Sequence, residues 1–207
     1  MSIVIIDYGA GNLGSIRRAF EECGAEAIIS DDPKDLQTSS HIVLPGVGSF
    51  KECMNNLQKG GWVEPIREEV LNNKIPFLGI CLGMQLIAST GFEGGETAGL
   101  GLIPGQIKKM IPKDSTERIP HVGWNEVHLK EESPLYEGIP SGTDFYFVHS
   151  YCFVPDNEEH TLTTTPYSDK TQFVSTVAHE NIYGVQFHPE KSLPAGLVLL
   201  QNFVELG

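Results

Sequence analysis

The segment IPFLGICLGMQLIAS, residues 75–89, begins with a short apolar run that leads directly into a helical pattern. The run IPFLGI has no alternation of polar and apolar residues, which is typical of a strand buried on both faces of a sheet. Between the run and the helical pattern, Cys81 lies in G-x-C-x-G spacing with Gly79 and Gly83. The segment therefore predicts a strand, a tight turn that carries a thiol, and a helix.

The rest of the first half repeats this alternation of strand and helix patterns. Three further apolar runs predict strands, and their sequences are SIVIID, AEAIIS and HIVLPG. Three segments of about 10–14 residues predict helices, and their sequences are LGSIRRAFEECG, FKECMNNLQKGG and VEPIREEVLNNK. Short apolar strands separated by helices favour a parallel sheet that is covered on both faces.

The second half, from Ile103 to Gly184, consists of short segments rich in β-branched and aromatic residues, punctuated by turn signals. It predicts antiparallel or mixed sheet added to the same core, and the pattern AGLVLLQNFVEL predicts a closing helix. No linker or internal repeat separates the halves. We therefore expect one α/β domain over residues 1–207, with a mixed, mostly parallel central sheet and helices on both faces.

Composition excludes several classes of protein. The chain has 207 residues, with 27 acidic against 14 basic side chains and a formal net charge of −13. Such a surface repels phosphate backbones, so nucleic-acid binding is not expected. No apolar stretch approaches the ~20 residues of a membrane helix, and no basic leader precedes the first strand. We expect no membrane span and a cytoplasmic protein.

The four cysteines are Cys23, Cys53, Cys81 and Cys152. Their wide spacing contains no C-x-x-C pair and suggests neither a disulfide framework nor a zinc site. We expect free thiols and no metal.

A glycine-rich loop raises an alternative function. Gly9, Gly11 and Gly14 have the G-x-G-x-x-G spacing of dinucleotide-binding loops. Asp31 and Asp32 follow 17 and 18 residues after Gly14, close to where a ribose-binding carboxylate is expected. An NAD-binding protein is therefore one hypothesis.

The thiol at Cys81 supports a stronger hypothesis, that of an enzyme with a cysteine nucleophile. A cysteine at a strand-to-helix turn has helix N–H groups beside it, which favour a thiolate and a developing oxyanion. The alternative is a buried structural cysteine between two incidental glycines. The segment GVQFHPEKS supplies His188 at the end of a predicted strand, and Glu190 two residues later faces the same side. Cys81, His188 and Glu190 thus form a complete set of nucleophile, base and orienting carboxylate.

The segment LPGVGSF, residues 44–50, also ends a predicted strand. Functional loops of open α/β sheets gather at the carboxyl ends of strands. Its glycines allow a tight turn with exposed N–H groups, which is a candidate oxyanion site. An ordinary strand-to-helix turn explains the same residues equally well.

Seven motifs together resemble the class I (triad-type) glutamine amidotransferases and, among them, the glutaminase subunits of imidazole glycerol phosphate synthase. In chain order they are DYGAGNLGSI, LPGVGSF, GICLGMQLI, GLGLIPG, PHVGWNEV, YFVHSYCF and GVQFHPEKS. The resemblance implies the class I glutamine amidotransferase fold and one type 1 amidotransferase domain over residues 1–207. PHVGWN and YFVHSY point to this particular subunit.

The resemblance implies that the Cys81 thiolate attacks the side-chain amide of glutamine and forms a thioester. His188 protonates the leaving ammonia and later activates water, while Glu190 orients the imidazole. The expected oxyanion donors are the Leu82 N–H and an amide of the Val47–Gly48 turn. The residues expected to bind the substrate are Gln85, Glu93, Ser150 and Tyr151.

The resemblance also implies a partner and no cofactor. The partner is a (βα)8-barrel cyclase subunit in a heterodimer. It uses the ammonia to make imidazole glycerol phosphate and an aminoimidazole carboxamide ribonucleotide in histidine biosynthesis. In this family the glycine-rich loop faces the partner. The residues expected at the interface and ammonia exit are Asp7, Tyr8, Asn12, Trp124 and Lys191.

Two positions depart from the family pattern: Val122 replaces a common methionine, and no glycine follows Tyr167. Both lie in regions that could shape the choice of partner. The alternatives are therefore a paralogous subunit that supplies a surface-polysaccharide synthase, a freestanding hydrolase, and a non-catalytic interaction module.

Overall fold

A computed structural model describes residues 2–112, 118–168 and 171–206. The α-helices are α1 Leu13–Glu22, α2 Phe50–Lys59, α3 Val63–Arg67, α4 Leu82–Leu86 and α5 Ala195–Val204. The strands of the first half are β1 Ser2–Ile6, β2 Glu26–Ser30, β3 His41–Leu44, β4 Phe77–Ile80, β5 Thr90–Gly91 and β6 Thr97–Ala98. Those of the second half are β7 Gly105–Lys109, β8 His121–Leu129, β9 Thr143–His149, β10 Tyr151–Pro155, β11 Thr161–Ser168, β12 Thr171–His179 and β13 Ile182–Val185. A π-helical segment, Glu68–Asn72, continues α3.

The sheet is mixed, and its parallel part carries the four strands expected from the first half. Its order is β2-β1-β3-β4-β13-β12-β10-β7-β5-β6, and a branch leaves it at β12, where β11 pairs with β12, β8 with β11 and β9 with β8. Strands β2, β1, β3, β4 and β13 run parallel to one another. Strand β13 comes from the second half of the chain, so the last strand of the parallel part is distant in sequence from the other four.

Hydrophobic side chains fill both faces of the sheet. On β1, Val4 and Ile6 belong to a core cluster that includes side chains of α2, α3 and α4. Ile3 and Ile5 point to the opposite face, where they join a second cluster with α1 and α5. Because successive side chains of a strand alternate between faces, one apolar strand contributes to both cores. The predicted α/β class with helices on both faces is confirmed.

Two predicted elements are shorter than their sequence patterns. Segment DFYFVHSYCFV is divided at Ser150 into β9 and β10, which belong to different parts of the sheet. Helix α4 ends at Leu86, although the apolar pattern continues. The reason is that the Leu86 and Ala88 carbonyls accept hydrogen bonds from the backbone N–H groups of Leu100 and Gly101. In the described part of the chain, no helix is both long and apolar enough to span a membrane.

Candidate active site

Cys81 occupies the turn between β4 and α4 in a strained backbone conformation. Its φ is 55° and its ψ is −108°, and few residues other than glycine adopt a positive φ. The Cys81 N–H donates to the Val185 carbonyl of β13 at 2.8 Å. Strain of this kind persists only when the surroundings impose it, and it is concentrated at functional sites.

The flanking glycines are required by close backbone contacts. A Cβ atom on Gly83 would lie 1.8 Å from the Leu44 carbonyl oxygen at the end of β3. A Cβ atom on Gly79 would lie 2.7 Å from the Gly83 carbonyl. Real Cβ atoms do not approach other atoms so closely, so the helix packs against two strand ends only because both residues lack side chains. This is the reason the sequence pattern requires glycine on each side of the thiol.

Strand register brings the predicted base to the thiol. Val185 of β13 pairs with Ile80 of β4, the residue before Cys81. His188 follows β13 by three residues, and its backbone N–H donates to the Tyr146 carbonyl at 2.9 Å. Cys81 and His188 therefore line the same cavity, although they are 107 positions apart in the chain.

His188 and Glu190 form a buried ion pair. The Nδ1 atom of His188 lies 2.8 Å from Oε1 of Glu190, and only 1% of the Glu190 side chain is exposed. The Nε2 atom of His188 is buried and has no hydrogen-bond partner among the described residues. Burial alone would lower the pKa of His188, but the interactions with Cys81 and Glu190 outweigh it and raise the pKa to about 9. The imidazole is thus held in one orientation beside the thiol and is charged at neutral pH.

The cavity around Cys81 has a volume of about 330 Å3. It brings together most of the residues predicted for chemistry and substrate binding, and those that line it are Val47, Gly48, Cys81, Leu82, Gln85, Glu93, Ser150, Tyr151 and His188. Lys191, predicted for the interface, lines it as well. Glu190 lies behind His188 rather than on the cavity wall. No group of three or more His, Cys, Asp or Glu side chains in the described residues could hold a metal ion.

Gln85 projects from α4 into a fixed network. Its Nε2 donates to the Tyr151 carbonyl at 3.1 Å and to Gln186 Oε1 at 3.0 Å. Both amide protons are therefore used, and the carbonyl oxygen is the group left to face a ligand. Gln186 in turn places its own Nε2 3.8 Å from the Cys81 sulfur.

Sequence reasoning missed Gln186 and His149. Gln186 is fully buried, and it precedes His188 by two residues in GVQFHPEKS, so the i, i+2 rule could have indicated it. His149 lines the cavity and donates from Nδ1 to the Tyr151 carbonyl at 2.9 Å. Burial lowers the pKa of His149 to about 3, which keeps the ring neutral. Both residues help to hold the cavity wall around Tyr151.

Ser192 is a third missed residue, and it fastens the loop that carries His188. Its hydroxyl donates to the His188 carbonyl at 2.7 Å and accepts from the Tyr146 N–H at 2.9 Å. Ser192 is fully buried. A serine in a polar loop carries no sequence signal for this contact, because the contact depends on where β9 lies.

Glu93 reaches the start of α2, where its Oε2 accepts from the Phe50 N–H at 2.7 Å. One carboxylate oxygen thus stabilises the N-terminus of that helix. Gly48, two residues before α2, has a φ of 101°, a value that favours glycine. Val47 beside it is 48% exposed. The turn is therefore open to the cavity on one side and anchored at the helix on the other.

The predicted interface residues occupy two places. Asp7 lines a second cavity of about 450 Å3, which shares Val47 with the first cavity, and Asn12 is exposed nearby. Tyr8 differs from them, because its side chain is buried at 7% exposure.

Trp124 and Lys191 lie on either side of Tyr146. Trp124 is 55% exposed, with its ring centroid 6.0 Å from that of Tyr146. The Lys191 ammonium lies 5.7 Å from the Tyr146 ring centroid, within the range of a cation–π contact. Tyr146 thus connects an exposed tryptophan to the rim of the cavity.

The glycine-rich loop does not have the packing of a dinucleotide-binding loop. The third glycine of such a loop allows close contact between helix and strand. A Cβ atom on Gly14 would meet nothing within 4 Å. Asp32 caps the short 3-10 helix Pro33–Thr38 by accepting from the Lys34 N–H at 3.0 Å. The spacing is present, but its packing role is absent.

Comparisons with known proteins agree with this geometry. The family model for glutamine amidotransferase class-I matches residues 4–206. The chain is 48% identical over 204 residues to imidazole glycerol phosphate synthase subunit HisH 1 of Campylobacter jejuni, covering 99% of this chain and 100% of that protein. Subunit HisH of Moorella thermoacetica is also 48% identical, with coverage of 99% and 94%.

A solved glutamine amidotransferase structure matches with a TM-score of 0.76 at 18% identity, covering 98% of this chain and 97% of that one. At that identity the match establishes the fold alone. The family match and the two curated relatives extend over nearly the whole chain. The chain therefore belongs to the class-I glutamine amidotransferase family.

Proposed function

We propose that this chain is the glutaminase subunit of an imidazole glycerol phosphate synthase, with one amidotransferase domain over residues 1–207. It hydrolyses glutamine and passes the ammonia to a cyclase partner in histidine biosynthesis. The observation that carries the chemistry is the strained Cys81 in one cavity with His188, whose ring is oriented by Glu190. The names of the 48%-identical relatives support the pathway.

In the first half-reaction the Cys81 sulfur attacks the amide carbon of glutamine. The C–N bond breaks, His188 gives its proton to the leaving nitrogen, and ammonia departs from a γ-glutamyl thioester. In the second half-reaction His188 takes a proton from water, and the hydroxide attacks the thioester. Glutamate leaves and the thiolate returns, so one glutamine and one water give one glutamate and one ammonia.

The oxyanion of each tetrahedral intermediate accepts hydrogen bonds from the Leu82 N–H and the Gly48 N–H. Leu82 is the first residue of α4, where backbone N–H groups have no partner within the helix. The second donor, the Gly48 N–H, belongs to the peptide bond between Val47 and Gly48. Gln85, Glu93 and the backbone of Ser150 and Tyr151 bind the polar end of the substrate.

The partner is a (βα)8-barrel cyclase, joined to this chain as a heterodimer. Its docking face includes Asp7, Asn12, Trp124 and Lys191, with Tyr8 buried behind them beside the ammonia exit. The second cavity, which adjoins the first at Val47, supports an exit on this side. Four free cysteine thiols are compatible with a reducing cytoplasm, where we place the complex.

The test is glutamate release from glutamine, measured for the pure chain alone and then with a histidine-pathway cyclase and its nucleotide substrate. We expect slow release alone and strong stimulation by the cyclase with its substrate, because ammonia release is coupled to its use. High activity without a partner would favour a freestanding hydrolase. No stimulation of glutamate release by the cyclase, together with stimulation by a surface-polysaccharide synthase, would overturn the pathway assignment.

A further inference from the structure

Two buried titratable side chains, Tyr8 and Cys53, have no part in the chemistry described above. They are 7% and 1% exposed, and they interact with each other beneath the turn of residues 45–48. Tyr8 follows β1 and Cys53 belongs to α2, so the contact joins two elements on one side of the turn. Burial raises the pKa of both groups, which therefore keep their protons at neutral pH and remain hydrogen-bond donors.

Each side chain donates to one carbonyl of the turn. The Tyr8 hydroxyl donates to the Pro45 carbonyl at 2.8 Å, and the Cys53 thiol donates to the Val47 carbonyl at 3.4 Å. The two carbonyls lie on either side of Gly46. Rotation of the first peptide would break a buried hydrogen bond and rotation of the second a partly buried one, and a polar group left unpaired in the interior is costly.

The Cys53 contact determines where the Gly48 N–H points. In a trans peptide the carbonyl and the following N–H point in opposite directions. The Val47 carbonyl points toward Cys53, which lines the second cavity and not the cavity of Cys81. The Gly48 N–H consequently points away from Cys53, and Gly48 itself lines the Cys81 cavity.

Gly46 packs between Tyr8 and the turn that carries Cys81. A Cβ atom on Gly46 would lie 2.8 Å from the Tyr8 hydroxyl and 3.0 Å from the Gly83 nitrogen. The turn is therefore enclosed between the Tyr8 hydroxyl and the first residues of α4. Because Leu82 begins α4, the same packing sets the distance between the two proposed oxyanion donors.

We propose that Tyr8 and Cys53 are positioning residues that hold the turn of residues 45–48, so that the Gly48 N–H is directed at the oxyanion formed on Cys81. The assignment rests on the proposed glutaminase function. It gives Tyr8 a role inside the glutaminase site, in addition to its expected place beside the ammonia exit. Neither side chain touches the substrate: Tyr8 acts through the Pro45 carbonyl and Cys53 through the Val47 carbonyl.

The test uses Tyr8→Phe, Cys53→Ala and Cys53→Ser in the full chain with its cyclase partner. Tyr8→Phe removes one hydroxyl, and we expect kcat for glutamate release to fall about tenfold. Cys53→Ala removes a weaker sulfur donor, and we expect a fall of about threefold. KM for glutamine should stay within about twofold. Cys53→Ser retains a donor and should recover most of the loss.

Matched controls are available elsewhere in the chain. Tyr136 buries its hydroxyl against Thr176 Oγ1 at 2.6 Å, and the Cys23 thiol donates to the Leu197 carbonyl at 3.4 Å. Tyr136→Phe and Cys23→Ala therefore remove similar hydrogen bonds away from the turn. We expect both variants to keep wild-type kcat.

A second measurement, the alkylation rate of Cys81, distinguishes an effect on the turn from an effect on the thiol. Alkylation of Cys81 by iodoacetamide forms no oxyanion, so its rate should be unchanged in Tyr8→Phe and Cys53→Ala. The rate is measured by mass spectrometry on the Cys81 peptide. Hydrolysis and alkylation that fall together would overturn the assignment, because the thiol itself would then be disturbed.

Wild-type kcat in Tyr8→Phe and Cys53→Ala would also overturn the assignment while leaving the glutaminase function intact. If Tyr8→Phe does not fold, Cys53→Ala and Cys53→Ser decide the question alone. A wild-type complex that releases no glutamate overturns the proposed function, and this assignment with it.

Discussion

The turn around Cys81 and the glycine-rich loop of residues 9–14 both follow a buried parallel strand, and both open a helix. Each has glycines in a well-known spacing. In the first, a Cβ atom on Gly83 would lie 1.8 Å from a backbone oxygen. In the second, a Cβ atom on Gly14 would meet nothing within 4 Å. The same kind of sequence signal thus marks tight packing in one place and open space in the other.

The difference lies in what surrounds each turn. Both β1 and β4 have a strand on each side, but the helix after Cys81 packs directly against the end of β3, at the Leu44 carbonyl. The loop after β1 opens to an exposed cavity, and Gly14 lies on the solvent side of α1. A functional glycine motif is therefore identified by the atoms its missing side chains would displace, which spacing alone does not reveal.

The largest expected effect comes from removing the thiol that the first turn presents. Cys81→Ala should lower glutamate release at least about a thousandfold, because no other group can form the thioester. Alanine has the same Cβ atom as cysteine, so the strained backbone at φ 55° is not altered and the fold should persist. Steady-state glutaminase assays and circular dichroism measure the two effects. Release above a tenth of the wild-type rate would show that Cys81 is not the nucleophile.

The next effect concerns stability. Gly83→Ala should lower the free energy of unfolding by about 3 kcal/mol or more, because a methyl group cannot occupy the space of the Leu44 carbonyl. The helix must then move away from β3 or fail to form. Urea denaturation of the purified variant measures the change. An unchanged free energy of unfolding would mean that α4 moves away from the Leu44 carbonyl at little energetic cost and that glycine is not required at this position.

A smaller effect is expected behind the turn, at the carboxylate that orients His188. Glu190→Gln should slow glutamate release about ten- to a hundredfold, because the imidazole loses its charged hydrogen-bond partner. It should also change how stability depends on pH. The interactions with Cys81 and with Glu190 outweigh burial and raise the pKa of His188 from 6.5 to about 9. The native state therefore binds this proton more tightly, and the resulting stability is present below pH 6.5 and lost as pH rises through 9.

The difference in unfolding free energy between wild type and Glu190→Gln should accordingly shrink between pH 6.5 and 9.5. Urea denaturation at three pH values across that range measures it. Glu180→Gln is the matched control, since it removes a carboxylate from an exposed ion pair with Lys74. Its difference from wild type should stay constant over the range. A constant difference for Glu190→Gln as well would show that Glu190 does not hold the His188 proton.

The sequence predicted the parallel half of the fold because its strands are short apolar runs that need no partner to be recognised. It also identified Cys81 and the pair of His188 and Glu190, since two local patterns, the thiol turn and the i, i+2 pair, mark them. Both cases depend on residues within a few positions of each other. Local spacing therefore identifies each part, and the pairing of β13 with β4 brings His188 to the thiol.

Other parts of the site depend on strand register and could not be found in this way. Gln85 and Gln186 are 101 positions apart, and they meet because β13 lies beside β4. Tyr8 and Pro45 are 37 positions apart, and the position of Tyr8 beneath the turn follows from the pairing of β1 with β3. The local sequences DYG and PGVG give no indication that β1 pairs with β3. Such contacts become visible only when the sheet is assembled.

The smallest expected effect is at Gly14, in the glycine-rich loop. Gly14→Ala should raise the free energy of unfolding by about 0.5–1 kcal/mol, because alanine is the better helix former and the added methyl group meets open space. Glutamate release by the chain alone should be unchanged, since Gly14 lies on α1, away from the Cys81 cavity. Urea denaturation beside Gly83→Ala gives the two signs in one experiment. A loss of stability in Gly14→Ala would mean that this glycine has a packing role after all, and the contrast between the two turns would then be one of degree.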